Sequence, residues 1–135
     1  MARIVVTRLR LRDPAFFDDF FTAAVAIVEQ AKASDGNLAA DVLAEANNTY
    51  WTSTAWRDQA STRAFMTSEP HLSTMSRIDE WCDEATFVNW DQPEADLPDW
   101  QAAYERLSSD GQVVQLPHAS SDHAGRNFPT PVTNA

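Results

Sequence analysis

Residues 49–90, TYWTSTAWRDQASTRAFMTSEPHLSTMSRIDEWCDEATFVNW, constrain the fold more than any other stretch of this chain. The opening TYWTSTAW packs aromatic and β-branched residues with period-two alternation, which reads as a strand. RDQASTRAFMT then turns helical, and Ser68-Glu69-Pro70 breaks it. Pro70 fits the first position of a second helix over 70–81, and 86–90 returns as a strand. Four of the five tryptophans lie here, as does the only histidine outside the last twenty residues or so.

Upstream, residues 4–11 form a strand ended by Asp13-Pro14. Val5, Thr7, Leu9 and Leu11 share one face, and Ile4, Val6, Arg8 and Arg10 share the other. Asp13-Pro14 is a helix start, with Asp13 as cap and Pro14 where no donor is needed. Phe17, Phe20, Phe21, Ala24, Val28 and Ala31 recur at three- and four-residue spacing, so this helix runs to about Ala33. Ser34-Asp35-Gly36-Asn37 stops it. Residues 38–45 and 49–56 flank Asn47-Asn48 and read as an antiparallel hairpin. Past the prolines of 91–98, Trp100, Ala103, Tyr104 and Leu107 mark a terminal amphipathic helix ended by Asp110-Gly111. Val113 and its neighbours are placed to add an edge strand.

The element order is β-α-β-β-α(α)-β with an extra C-terminal helix. That is the ferredoxin-like α+β pattern, a four-stranded antiparallel sheet with helices on one face. Residues 1–116 are expected to form this domain. Residues 117–135, small, polar and proline-containing, are expected to be a tail that wanders or drapes over a partner subunit. The face without helices carries apolar residues, so a second copy of the chain is the expected cover, giving a homodimer.

Composition narrows the partners. A net charge of −10 over 135 residues leaves no basic surface for nucleic acid or for an anionic membrane. Arg3, Arg8, Arg10 and Arg12 alternate along the first strand and read as its solvated face. The longest apolar run, 20–28, is too short to span a bilayer. One cysteine, Cys82, excludes an internal disulfide and fits a reducing compartment, and the charged N-terminus lacks the apolar core of a signal peptide. A cytoplasmic protein is expected. Three glycines, none in a G-x-G-x-x-G or Walker arrangement, leave no phosphate loop for a nucleotide cofactor.

His71, Met75, Ile78 and Cys82 are spaced to share one face of the helix over 70–81. A histidine pointing from that face into an apolar pocket can act as a general base or as a haem ligand. The plainer reading is a histidine exposed or hydrogen-bonded at a helix end. Trp56, Phe65, Met75 and Trp90 can line a pocket for a flat hydrophobic ligand, or they are simply core. Arg57 can grip a carboxylate or phenolate, or face solvent at a helix start. Asp79, Glu80, Asp83 and Glu84 read as solvated helix-end charge, and His118 and His123 match no zinc spacing.

The strand ending in Trp56, followed by RDQASTRAFMTSEPHLSTM, Trp81 and Trp90, resembles the dimeric α+β barrel superfamily. The likeness covers residues 2–90 and is closest to antibiotic-biosynthesis-monooxygenase-like proteins and their uncharacterised bacterial relatives. It extends to the spheroidene monooxygenase-like proteins. It implies a face-to-face homodimer with a pocket between helices and sheet in each subunit. It also implies one of several activities on a hydrophobic small molecule: cofactor-free oxidation of phenolic substrates, haem binding or degradation, isomerisation, or binding without known catalysis. In the first, His71 takes a proton from the substrate and dioxygen reacts with the carbanion, without metal or flavin. The alternatives are a haem held by His71 and a non-enzymatic dimeric scaffold.

Overall fold

The computed structural model describes residues 1–131. The strands are β1 (Ala2–Leu11), β2 (Asn37–Glu45), β3 (Thr49–Trp56), β4 (Cys82–Gln92) and β5 (Gln112–Val113). The helices are α1 (Phe17–Ala33), α2 (Gln59–Met66), α3 (His71–Met75), α4 (Ile78–Trp81) and α5 (Trp100–Asp110), with a 3₁₀ turn at Pro14–Phe16 ahead of α1. The sheet is antiparallel in the order β2-β3-β1-β4-β5. The ferredoxin-like α+β architecture is therefore present, with five strands rather than four.

Aspartate caps start the main helices, because its short carboxylate reaches free N–H groups of the first turn. Asp13 accepts from Ala15 N, Asp58 from Ser61 N and Asp99 from Ala102 N, each at 2.8 Å. Between α1 and β2, Gly36 sits at φ +86°, and a Cβ there would run into the Ser61 hydroxyl. Only glycine takes that turn without strain.

The helix expected over 70–81 is broken in two. Ser76 Oγ bonds back to Ser73 O at 2.6 Å and Arg77 N to Thr74 O at 2.9 Å, tightening the backbone into a turn. The single face expected for His71, Met75, Ile78 and Cys82 is lost. Ile78 is buried, Met75 is exposed and Cys82 opens β4. In α2 the inward residues are Ser61, Thr62 and Phe65, whereas Ala60 and Ala64 face solvent.

Strand alternation divides the core in two. On the helix face, Leu11, Cys82 and Ala85 pack with Phe20, Ile78, Trp81 and Leu116. On the back face, Ile4, Val6, Trp51, Ala55 and Val88 lie beneath Ala103 and Leu107 of α5 and beneath Phe128. The back face expected to await a second copy is thus covered by the chain's own C-terminal part. A fully buried leucine such as Leu107 contributes roughly 1.5–3 kcal/mol to that cover.

Residues 117–131, expected to wander or to drape over a partner subunit, are bonded to the chain's own sheet as a strap. Ser120 N bonds Asp83 O at 2.9 Å, and Arg126 Nη1 donates to Gly111 O at 2.9 Å. Tyr104 Oη donates to Phe128 O at 3.1 Å. His123, 3% exposed, donates from Nε2 to Val114 O and accepts the Ala85 N–H at Nδ1. The order comes from side chains that reach back to β4 and α5. Residues 132–135 lie outside the described residues.

Two further expectations are corrected here. Arg8 is not solvated: it is 2% exposed and donates to the equally buried Glu84 at 2.6 Å. Nor is Glu84 helix-end charge, since it lies within β4. No helix among the described residues is long and apolar enough to cross a membrane.

Candidate functional site

The site begins at Trp56, the last residue of β3. Its alternation with Ala55 turns it to the helix face, where it is fully buried and its Nε1 donates to Thr54 Oγ1 at 2.9 Å. Phe65 of α2 lies over it, ring centres 4.9 Å apart, and the His71 ring lies 4.8 Å from Phe65. Sheet, α2 and α3 are thereby joined by a ladder of three flat side chains, a geometry aromatic rings favour.

His71 is held by contacts at both its ring and its backbone. Nδ1 lies 3.0 Å from Met66 O, and a carbonyl can only accept, so Nδ1 carries the proton. Nε2 is left with its lone pair, and no described residue hydrogen-bonds it. Burial pushes the imidazole pKa below the ordinary 6.5, opposed in part by the Met66 bond. Gln30 of α1 fixes the turn that carries His71. Its Oε1 accepts from His71 N at 2.9 Å, and its Nε2 donates to Phe65 O at 3.1 Å and Ser68 O at 3.3 Å.

Strand residues turned toward the helix layer supply a floor. Val5, Thr7, Thr52, Thr54, Phe87 and Asn89 are half-buried, while their back-face neighbours Ile4, Val6, Ser53, Ala55 and Val88 are buried. The helices therefore seal the Leu11 end of their face and leave the remainder looser. Arg3, bonded to Asn89 and Asp91, closes the far end with a polar group.

The residues picked from sequence separate on this frame. Trp56, Phe65 and His71 come together. Trp90 does not: it is paired with Ile4, so its side chain is on the back face, with the Arg106 guanidinium 4.5 Å from its ring. Met75 is 42% exposed on α3. Arg57 is exposed and ion-paired with Asp35 at 3.2 Å and Asp58 at 3.6 Å. With Phe65 it lines an open depression of about 380 Å³ beside α2. Burial, with Asp83 adding to it, pushes the Cys82 thiol up to about 12, so it is no nucleophile at neutral pH. No group of three or more metal-binding side chains occurs among the described residues. Neither this depression nor the polar cleft on the back face has His71 in its lining.

Gln30 and Thr54 were missed from sequence. Gln30 reads as one polar residue in an amphipathic helix, and its partners are 35 to 41 residues away. Thr54 carried a visible signal, since it stands two residues before Trp56 on the same strand face.

Among solved structures the chain is similar to a conserved protein from Methanosarcina mazei Go1. Identity is 17%, the TM-score is 0.61, and 68% of this chain and 93% of that one are covered. It is similar to SnoaB, a cofactor-independent oxygenase from Streptomyces nogalater, at 13% identity and TM-score 0.58, over 69% of this chain and 94% of that one. An antibiotic biosynthesis monooxygenase matches at 18% identity and TM-score 0.60, over 70% and 100% of the two chains. At these identities the likeness is one of fold, the antibiotic-biosynthesis-monooxygenase-like fold that the Trp56-to-Trp90 pattern resembles. No curated protein sequence matches the chain. The family model that does match covers residues 3–113, and the chain accordingly belongs to the family described as a domain of unknown function, DUF3291.

Proposed function

We propose that this protein is a cofactor-independent oxygenase-type enzyme that holds a flat, hydrophobic, acidic small molecule between the helix layer and the sheet. The observation that carries the reading is His71: a half-buried imidazole, its Nδ1–H tied to Met66 O, its Nε2 lone pair free, stacked on the Phe65–Trp56 ladder. A fixed neutral tautomer with a lowered pKa is what a general base near pH 7 requires. Nε2 takes a proton from an activated C–H, and the carbanion passes its electrons to dioxygen. The peroxide then loses water, so that a CH₂ group and O₂ become C=O and H₂O. Val5, Thr7, Thr52, Thr54 and Phe87, half-buried on the helix face, are the surface over which the substrate would lie, with the threonine hydroxyls as orienting hydrogen-bond partners. The cofactor-independent oxygenase of the same fold supports the reading.

The test is oxygen uptake with a panel of electron-rich polycyclic phenols, comparing the protein with His71→Ala. Loss of a well-placed base is expected to slow turnover by about 10²–10⁴-fold. Because burial lowers the His71 pKa, the acid limb of the rate profile is expected below pH 6.5. Full activity in His71→Ala, or no turnover of any panel member, would sink the proposal.

A further inference from the structure

We propose that two copies of this chain associate through the outer flank of α1, the two helices antiparallel about a two-fold axis at Val25. The back face of the sheet takes no part, and the proposal is independent of the reaction assigned to His71.

The two flanks of α1 differ. On one, Gln30 bonds Phe65 and His71, and Asp19 pairs with Arg77 at 3.7 Å. The other, about half a turn round the helix, lies beside β2, the edge strand of the sheet. There Phe17 stacks on Phe21, ring centres 5.5 Å apart, and reaches Tyr50 at 6.2 Å, opposite Ala44 of β2. Phe17, Phe21 and Val25 are exposed on α1, as are Leu38 and Val42 on β2. Val42 pairs with Thr52 and so stands on the helix side. Half of the large apolar side chains exposed among the described residues lie along this one flank, whereas a monomer scatters such residues singly. The strand edge itself does not call for a partner strand. Asp41 Oδ1 accepts Val42 N–H at 2.8 Å, and a charged side chain on an edge strand disfavours pairing. The contact is therefore one of side chains.

The order of residues along α1 selects a second copy as the partner. Asp18 and Lys32 each stand seven residues from Val25, close to two turns, so they lie on one line of the helix about 10 Å to either side of it. Phe21 falls between Asp18 and Val25, and Val28 between Val25 and Lys32. A two-fold axis at Val25 sets Asp18 of each copy against Lys32 of the other, and Phe21 against Val28. Such self-complementarity is what an isologous dimer needs. Lys32 is the chain's only lysine, and neither it nor Asp18 has a hydrogen bond or ion pair among the described residues. At a net charge of −10, most surfaces of two copies repel one another, and this flank brings opposite charges together. A seam of one helix and one strand is at the small end for specific interfaces, so dissociation in the micromolar range is expected.

The test is sedimentation equilibrium of the full chain from micromolar to near-millimolar concentration. The mass is expected to rise from that of one chain toward that of two. Lys32→Glu and Asp18→Lys, both at exposed positions, each set like charges across the seam and are expected to weaken the dimer by about tenfold. Combining the two changes rebuilds the pairs in reverse and is expected to restore association. A role confined to the helix's own ends predicts the opposite, since Asp18 in the first turn and Lys32 in the last already suit its dipole and the double change is then the worst. Val25→Cys, on the axis, is expected to link copy to copy under mild oxidation, which the buried Cys82 of the unaltered chain does not do. A mass that stays at one chain throughout overturns the proposal and leaves the flank to a different partner. A dimer indifferent to Lys32→Glu, a double variant no tighter than the single ones, or a Val25→Cys chain that does not cross-link also overturns it.

Discussion

Replacing Glu84 with alanine is expected to cost about 3–5 kcal/mol of unfolding free energy, read from a denaturant titration at pH 7. The carboxylate is 2% exposed. Alanine in its place would strand the Arg8 charge in the interior between Trp51 and Phe128. The loss measures the abandoned charge more than the worth of the pair. Replacing both residues with apolar side chains of similar volume is therefore expected to be much milder than the single change. The pair also sets a pH dependence. Burial pushes the Glu84 carboxyl up, but bonds from Ser120 and Arg8 and the charges of Arg8 and Arg10 outweigh it, and the net shift is below 4.5. The unfolded chain then binds the proton more readily than the native one as pH falls. The stabilisation is present above pH 4.5 and fades as pH drops through the lower native value.

The second large effect is expected at Leu107. Leu107→Ala opens a cavity where α5 meets the back face, and a loss of about 2–5 kcal/mol is expected. With α5 and the strap as the cover, that loss is intramolecular. The unfolding midpoint of the variant should shift by the same amount at every protein concentration. A mild loss, or one that vanishes as the protein is concentrated, would mean that another copy supplies the cover.

Much of this architecture was legible in the chain because alternation and caps are local. TYWTSTAW gives β3 its bounds, Asp13-Pro14 marks the start of the first helical segment, and the parity of Val5, Thr7 and Leu9 against Ile4, Val6 and Arg8 places both faces of β1 correctly. What local pattern does not carry is which face a later helix covers. Periodicity shows that α5 has an apolar stripe, not that the stripe lies on Ile4 and Val88. Register has the same limit. Trp90 reads as a neighbour of Trp56 until its pairing with Ile4 puts it on the other side of the sheet. Arg8 and Glu84 stand 76 residues apart, and a charged residue on a strand is ordinarily solvated, so nothing local announces their pairing. Within the site, His71 and Phe65 were visible as residue types at suitable spacing. The hold that Gln30 has on them was not, because it is made from a different helix.

With the back face filled from within, the proposed reaction rests on His71 on the helix side. The most direct test of that account is the tautomeric state of His71, read from its ring ¹⁵N shifts between pH 5 and 8 and assigned by comparison with His71→Asn. The account predicts a neutral imidazole at pH 7 with the proton on Nδ1, titrating below 6.5. His123 serves as an internal contrast, since its contacts place the proton on Nε2 and leave Nδ1 as the acceptor. A His71 ring protonated on Nε2, or one that titrates at or above 6.5, would contradict it.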